Sequence, residues 1–435
     1  MSISQRVTAG LIPAVAALFL SCATVSFDRS VDEFREEIAR HEAVLDINPQ
    51  NADALRDLGA IYVQTRQFDK AKDFLTRAAR LKAADAKTRF FTGMLHELQN
   101  DPQAALAQYT SYADYSPLSP YRRLMQGRYE TLIRETVRAQ FRSLVTQELQ
   151  LTDNDVTANT IAVFPLMFGA GDERYASLGK GLSELFIADL GNVSKLRLVE
   201  RVRVRELSDE LQLSRSAAID QSTAPRLGRL LKAERIVTGV FSVSPDKAVQ
   251  ITVNAEDVLR RAPAAPFTRR DDLDKLFRLQ KDAVFDLLAK LEINITPAER
   301  DRIARNPTNS VDAFLLYSIG LEKEDARDFI AARSYYQEAL SLDRNFTLAA
   351  TRAAAMDGLI TAGTREQTLA AIREIESRGP VLRVSALASQ RLIMLMDNAG
   401  VYPQSGSAGR SAPTDAYRAP APILTLREPP RPPTR

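Results

Sequence analysis

Residues 52–85 read ADALRDLGAIYVQTRQFDKAKDFLTRAARLKAAD, and the order of small and large residues in this stretch decides the fold around it. The spacing predicts two helices that pack against each other. Small residues let the paired helices approach closely, and aromatic or large apolar residues fill the gap between them. The residues that carry the pattern are Leu55, Leu58, Gly59, Tyr62, Ala71, Leu75 and Ala78.

The pattern returns with a period of 34 residues, which is the period of the tetratricopeptide repeat. One period later, Gly93, Ala105, Tyr109 and Pro117 occupy the matching positions. One period earlier, Pro49 ends an incomplete repeat. The chain before the central region therefore resembles a tetratricopeptide array, with no gap in its register.

A second array begins after Pro307. Helical patterns continue through Thr364–Ser377 and Val381–Asp397, which Gly379 and Pro380 separate. At least three stacked repeats are usually needed for stability. Each array is therefore expected to be stabilised by packing against its neighbours or against the central domain. The residues that fit the first repeat of this array are Leu316, Ile319, Gly320, Ala332, Tyr336 and Ala339.

Between the arrays, short apolar strands alternate with helices, which predicts an α/β layer. Strands Arg235–Val243 and Ala248–Leu259, joined by the turn signal Pro245-Asp246, are expected to form an antiparallel hairpin at one edge of the sheet. An amphipathic helix, Asp271–Leu291, follows. The remaining predicted elements are strands Thr160–Met167 and Leu196–Glu200 and helices Tyr175–Leu190, Arg201–Leu211 and Thr223–Lys232.

Four motifs of this central region, taken in order, resemble the CsgG-like family and its TolB N-terminal relatives. The junction Pro307–Phe314 also looks like the one seen where such domains are fused to tetratricopeptide repeats. The resemblance covers roughly residues 157–345. It implies a periplasm-facing lipoprotein that works by assembly or scaffolding. The motifs are Ile161–Pro165 (IAVFP), Leu178–Leu182 (LGKGL), Leu196–Arg201 (LRLVER) and Ala233–Gly239 (AERIVTG).

In curli export, the member of this family is a secretion pore. Each strand of such a pore needs about 9–11 residues to cross the membrane. The short polar stretch between Leu211 and Thr223 does not supply such strands. We therefore expect the family domain without the pore.

The predicted fold class is α+β and multidomain. Its parts are a lipoprotein signal peptide at 1–21, a tether at 22–30, a tetratricopeptide α-solenoid with a linker helix at 31–150, a central α/β CsgG-like domain at 157–300, tetratricopeptide-like C-terminal helices at 308–398, and a disordered tail rich in proline and arginine at 401–435.

The single cysteine, Cys22, follows a segment typical of a signal peptide, with Arg6 before an apolar run. Phe19–Cys22 (FLSC) resembles the bacterial lipobox, which implies that the thiol of Cys22 is acylated. The alternative is a free thiol at the end of a membrane anchor, but the apolar run is short for a span. The residue after Cys22 is Ala23 and not the aspartate that resembles an inner-membrane retention signal. We therefore expect an outer-membrane lipoprotein that faces the periplasm.

The net charge of +3 belongs to the tail. Residues 401–435 hold five arginines against two acids, and eight of the 21 prolines. The rest of the chain is neutral overall, which argues against a nucleic-acid-binding protein. The tail is expected to be extended. It is expected to bind a groove that recognises proline-rich segments or an anionic envelope polymer, or simply to be solvated.

Signals for catalysis are weak in this sequence. The only histidines, His41 and His96, lie in repeat helices and predict no metal site. Gly169–Gly171 and Gly179–Gly181 lack the spacing of a phosphate loop, so a turn and a helix start explain them better. We expect no cofactor besides the lipid on Cys22 and no enzymatic activity. A hydrolase that uses carboxylates of the central domain is the alternative from another class.

The leading hypothesis is an outer-membrane lipoprotein scaffold that binds periplasmic or outer-membrane proteins through its repeats and organises an envelope assembly or secretion system. A homo-oligomer is a further option. The runner-up is a regulatory activator of a periplasmic peptidoglycan synthase, because some lipoproteins with that role have a similar domain. The alternating Arg201, Arg203 and Arg205 are expected to form a solvated face or an oligomer or partner contact. The predicted partner-binding face comprises Arg56, Ala60, Phe90, Met94 and Glu97.

Overall fold

The computed structural model describes residues 30–212, 223–260 and 262–377, all within one compact unit. Cys22, the helix predicted at Val381–Asp397 and the tail at 401–435 lie outside the described residues.

The N-terminal region is helical, as the repeat pattern predicts. Side chains of Asn51, Asp85 and Asp101 accept hydrogen bonds from backbone amides three residues ahead and so start three of the helices. The last helix is long and replaces a further repeat pair. The helices are α1 (Arg35–Ile47), α2 (Ala52–Gln64), α3 (Phe68–Leu81), α4 (Ala86–Leu98), α5 (Pro102–Tyr109) and α6 (Pro120–Thr146).

The central region holds a sheet of six strands in the order β3-β1-β4-β5-β6, with β2 paired to β4 beyond the end of β1. Strands β1, β2, β3 and β4 pair in parallel, and β5 and β6 are antiparallel to their neighbours. The strands are β1 (Thr157–Val163), β2 (Met167–Gly171), β3 (Arg197–Leu198), β4 (Ala233–Val243), β5 (Ala248–Asp257) and β6 (Ala262–Asp272).

Three predictions for the sheet are wrong in detail. The run Thr160–Met167 is two strands, because the chain leaves β1 at Phe164-Pro165-Leu166. Gly169–Gly171 belongs to β2 and is not a turn. The hairpin of β4 and β5 is not at the edge, because β6 pairs with β5 and occupies that position.

Strand β6 was not predicted from the sequence. It contains Pro263 and Pro266, which cannot donate hydrogen bonds and are tolerated at a sheet edge. The strand runs to Asp272, so the following helix begins at Leu276 and not at Asp271.

Helices cover both faces of the sheet. On one face, Phe241 and Ile251 share a core with α7 and α10. On the other, Ile236 shares a core with Leu207, Leu230 and Phe141 from α8, α9 and α6. These helices are α7 (Leu178–Leu190), α8 (Arg201–Glu210), α9 (Ala224–Leu231) and α10 (Leu276–Lys290), followed by the short α11 (Pro297–Ile303).

The C-terminal array begins at Ser310, whose side chain accepts a hydrogen bond from the amide of Ala313. Its first helix packs on α7. There, a Cβ added at Gly181 would lie 2.8 Å from the ring of Phe314. The array comprises α12 (Val311–Asp325), α13 (Phe329–Leu342), α14 (Thr347–Ala362) and α15 (Arg365–Ser377).

Candidate protein-interaction site

Helix α6 contacts both helical arrays. It packs against α4 and α5 of the first array and against α14 and α15 of the second. Helix α6 comes very close to α14 at Gly127, where an added Cβ would lie 2.1 Å from the carbonyl oxygen of Gly358 on α14. No side chain fits in that space, so glycine lets the two helices touch. The two arrays therefore meet along α6.

A buried carboxylate of the first array binds α6. Glu97, on α4, accepts a hydrogen bond from the hydroxyl of Tyr109 on α5 at 2.7 Å. It also binds Arg128 of α6, with Arg128 Nη2 at 2.6 Å from Glu97 Oε2. Burial, together with the Glu97 charge, raises the pKa of Tyr109 well above its usual range. Arg128 continues to the second array and donates to the Gly363 carbonyl at 3.0 Å.

The second array repeats this arrangement. Glu324, on α12, accepts a hydrogen bond from the hydroxyl of Tyr336 on α13 at 2.8 Å. Its other oxygen, Oε1, lies 2.9 Å from Nη2 of Arg134 on α6. Glu97 and Glu324 each follow the repeat glycine, Gly93 or Gly320, by four residues. The same repeat position thus binds α6 in both arrays.

Glu324 has more positive neighbours than Glu97. Nη1 atoms of Arg352 and Arg201 lie 3.5 Å and 3.8 Å from Glu324 Oε1, in addition to Arg134. Burial raises the pKa of Glu324, but the three arginines outweigh it and lower the pKa to about 2. The carboxylate is therefore ionised across the physiological pH range.

The next residue, Asp325, joins the second array to the central domain. Arg201 Nη2 and Arg205 Nη1, both on α8, lie 2.5 Å and 3.1 Å from Asp325 Oδ1. Lys180 of α7 binds Asp325 Oδ2. Burial raises the pKa of Asp325, whereas Arg201, Lys180 and Arg205 lower it to about 2.

The predicted solvated face or partner contact of the alternating arginines is wrong. Arg201 and Arg205 bind Asp325 within the chain, and Arg201 Nε also lies 2.7 Å from Glu184 Oε1. Arg203 lies over the ring of Phe141 on α6, at 5.2 Å from the ring centre. The segment is a helix, as predicted, and residues two apart on a helix point in different directions, so the three side chains reach different internal partners.

A cavity of about 420 Å³ opens beside α6, between the α12–α13 turn and the α14–α15 turn. We call it the α6 groove. Its wall at the α12–α13 turn carries Ile330, which is 67% exposed. The groove is lined by Thr131, Arg134, Glu135 and Arg138 of α6, by Arg327, Asp328, Phe329 and Ile330, and by Leu359, Ile360, Gly363, Thr364 and Gln367.

Comparison with known families agrees with this architecture. Family models described as "Tetratricopeptide repeat" match residues 38–87 and 315–346, and the model "Curli production assembly/transport component CsgG" matches residues 147–243. The chain contains a CsgG-like domain fused to tetratricopeptide repeats. The repeats indicate a protein that interacts with other proteins.

Among solved structures, the C-terminal domain of LpoB from Salmonella enterica is similar to part of the chain. The match has 17% sequence identity and a TM-score of 0.22, and it covers 30% of this chain and 93% of that one. A search of curated proteins returns no match.

The predicted partner-binding face of the first tetratricopeptide array is not exposed. Ala60, Phe90 and Met94 lie in the core, and Glu97 binds Arg128. Arg56 is buried and binds Asp53 and Asp57. The prediction is wrong because neighbouring helices of the compact unit cover these side chains: α4 packs against α2 and also against α6, which supplies Arg128 to Glu97.

The sequence reasoning missed the residues that join the arrays to α6 and to the CsgG-like domain. A partial signal was present, since an acid lies four residues after Gly93 and Gly320, although Val63 occupies that position after Gly59. The partners could not be found this way, because Arg128 and Gly363 are 235 residues apart. The missed residues are Arg128, Arg134, Arg352, Glu324 and Asp325.

Within the described ranges, no three histidine, cysteine or acidic side chains form a group that could hold a metal ion. In the same ranges, every helix is too short or too polar to cross a membrane. His41 and His96 are both partly buried on their repeat helices, and burial lowers the pKa of His41.

Proposed function

We propose that the chain is a non-enzymatic lipoprotein of the outer membrane that faces the periplasm and is tethered through Cys22. Its repeats bind a periplasmic or outer-membrane protein, and its CsgG-like domain organises an envelope assembly or secretion system without forming the pore. The joint made by α6 and Asp325 supports this function. Because that joint holds both arrays against the CsgG-like domain, a partner on the repeats is positioned relative to the domain.

The charged groups at this joint support a structural role. Glu324 and Asp325 have pKa values lowered to about 2, whereas a general acid needs a raised pKa. Burial does raise the pKa of Asp189, in the CsgG-like domain. That carboxylate is buried and binds Lys281 Nζ at 2.7 Å, inside the domain core. Glu324, Asp325 and Asp189 are thus each engaged by cations inside the fold, as expected of a scaffold.

Membrane attachment is tested by fatty-acid labelling and fractionation of cells that produce the full chain. The wild-type protein is expected to carry the label and to sediment with outer membranes. Cys22→Ser is expected to lose both properties, because the acylated thiol is gone. A labelled, membrane-bound Cys22→Ser protein would contradict the tether.

Partner binding is tested by photo-cross-linking in cells, with a photoreactive residue in place of Ile330 in one strain and of Ile47 in another. Both side chains are exposed, at 67% and 88%, on separate parts of the repeats. A cross-link to a specific envelope protein from either position supports the scaffold. Absence of any such cross-link from both would contradict it. A peptidoglycan synthase as the partner would assign the regulatory function.

A further inference from the structure

Another cavity, of about 340 Å³, lies in the first array between α3, α4 and α5. We propose that this cavity, which we call the α3–α4 cleft, binds an acidic side chain of a partner protein. The proposal rests on the proposed function, in which the repeats bind protein partners, and it names the chemical group that the first array recognises. The lining of the cleft includes Thr76, Ala79 and Arg80 of α3, Arg89 and Thr92 of α4, and Gln108 of α5.

The α3–α4 cleft has small and polar side chains where the preceding repeat has large apolar ones. Leu55 and Leu58 of that repeat are fully buried, and Phe74 stacks on Tyr62 with the ring centres 5.5 Å apart. A polar lining at positions that elsewhere fill the core is a local departure of the kind expected at functional sites. The replacements, counted 34 residues forward, are Leu45 by Ala79, Leu55 by Arg89, Leu58 by Thr92 and Phe74 by Gln108.

Arg89 is half-buried, and neutral groups hold its guanidinium in place. Arg89 Nη1 donates to Gln108 Oε1 at 2.7 Å, and Nε lies 3.4 Å from the hydroxyl oxygen of Tyr115. Among the described residues, no carboxylate oxygen lies within 4 Å of this guanidinium. Its remaining N–H donors are therefore left for a ligand, and the planar guanidinium matches the two oxygens of a carboxylate.

Positive charge exceeds negative charge in the α3–α4 cleft. Arg80 is exposed and, like Arg89, has no carboxylate within 4 Å in the part of the chain that the structure describes. Asp85 also lines the cleft, but its oxygens are engaged elsewhere. Oδ2 accepts hydrogen bonds from the amide and the hydroxyl of Thr88, each at 2.7 Å, and Oδ1 lies 3.5 Å from Arg56 Nη1. The two arginines thus favour a negatively charged occupant.

A further donor lies beside Arg80. Thr76 precedes Arg80 by one turn of α3, so the two side chains lie on the same face of the helix. Thr76 is exposed, and within the described ranges its hydroxyl has no hydrogen-bond partner. The cavity volume of about 340 Å³ falls within the range of about 300–1,000 Å³ typical of sites that enclose a ligand. An aspartate or glutamate side chain fits this volume.

The test uses the purified full chain and two fluorescent twelve-residue peptides in fluorescence anisotropy. The first peptide is three copies of Gly-Glu-Ser-Glu. The second has glutamine in place of every glutamate, so that only the charge differs. The acidic peptide is expected to bind at least about tenfold more tightly than the glutamine peptide, and its binding is expected to weaken as salt is raised. Equal binding of the two peptides, or no binding of the acidic one, would overturn the proposal.

Two variants that restore residues of the preceding repeat locate the binding. Arg89→Leu is expected to weaken the acidic peptide at least about tenfold without lowering the melting temperature, because the counterpart of Arg89 is the buried Leu55. Arg80→Asp, which copies Asp46, is expected to have a similar effect on binding. Arg80 is exposed, so this variant tests the charge even if Arg89→Leu is unstable.

The matched control is Arg260→Leu, whose side chain is 83% exposed on the β5–β6 turn. The control is expected to bind as the wild type does. Circular dichroism and thermal melts show whether each variant is folded. A folded cleft variant that binds like the wild type would overturn the proposal.

Inorganic phosphate provides the remaining comparison, because arginine binds phosphate as well as carboxylate. At equal ionic strength, phosphate is expected to displace the acidic peptide no better than chloride does. Stronger displacement, if Arg89→Leu abolishes it, would assign the cleft to a phosphate ligand and overturn the proposal.

Failure of the cleft is distinct from failure of the scaffold function. A photoreactive residue in place of Thr76 is expected to cross-link to the partner in cells. A cross-link from position 47 or 330 with none from position 76 would leave the scaffold intact and overturn only the cleft.

Discussion

Glu97 and Glu324 occupy the same position in two repeats that are far apart in the sequence, but their surroundings differ. Glu97 binds one arginine, Arg128, on α6. Glu324 lies within 4 Å of arginines from α6, α8 and α14. At this repeat position α6 alone holds the first array, whereas the second array is also held by the CsgG-like domain.

The largest expected effect comes from removing each carboxylate. Loss of one partner of a buried ion pair costs about 3–5 kcal/mol, because the remaining charge is left without compensation. Glu324→Gln is expected at the upper end of this range, since Arg134, Arg201 and Arg352 each lose one carboxylate neighbour, and Glu97→Gln at the lower end, since only Arg128 does. Urea unfolding of the full chain measures both free energies. A larger loss for Glu97→Gln would contradict the comparison.

The next effect concerns the contact between α6 and α14. Gly127→Val places a side chain where an added Cβ alone would lie 2.1 Å from the Gly358 carbonyl oxygen. Forcing the helices apart is expected to cost about 3 kcal/mol. Gly191→Val is a matched control, because the nearest atom to a Cβ there lies 3.1 Å away. The control is expected to lose less than half as much stability in the same urea measurement. Equal losses would argue against a close joint at Gly127.

A smaller effect is expected at the tyrosines. Tyr109→Phe and Tyr336→Phe each remove one hydrogen bond to an ionised carboxylate, worth about 1.5–3 kcal/mol. Tyr336→Phe is expected to cost less than Tyr109→Phe, because Glu324 keeps three arginines and Glu97 only one. Thermal denaturation of the two variants gives the difference. A greater loss for Tyr336→Phe would show that the arginines do not compensate.

The last prediction is the dependence of stability on pH, which is small within any single pH unit. The folded-state pKa of Glu324 is about 2, below its ordinary value of 4.5. Its contribution is therefore fully present above pH about 4.5 and is lost as the pH falls towards 2. A single such group changes the free energy of unfolding by at most about 1.4 kcal/mol per pH unit. Glu324→Gln is expected to flatten the stability profile between these pH values. An unchanged slope would contradict the lowered pKa.

The elements that depend on local sequence could be predicted. Gly59, Gly93 and Gly320 marked the repeats, since each lies against a large side chain sixteen residues further on. Strand β6 could not be predicted, because Pro263 and Pro266 argue against a strand unless its place at the edge is known. The exposed face of the first array was predicted wrongly, because Arg56 pairs with acids of the array itself and Glu97 pairs with Arg128 of α6, which comes later in the chain.

Helix α6 holds the two arrays together through Arg128 and Arg134. Hydrogen exchange of the full chain, compared with that of the Arg128→Leu, Arg134→Leu double variant, tests this role of α6. We predict faster exchange in α4 and α5 and also in α12 to α15, because both carboxylates lose their α6 partner. Faster exchange confined to α6, with both arrays protected as in the wild type, would contradict the claim.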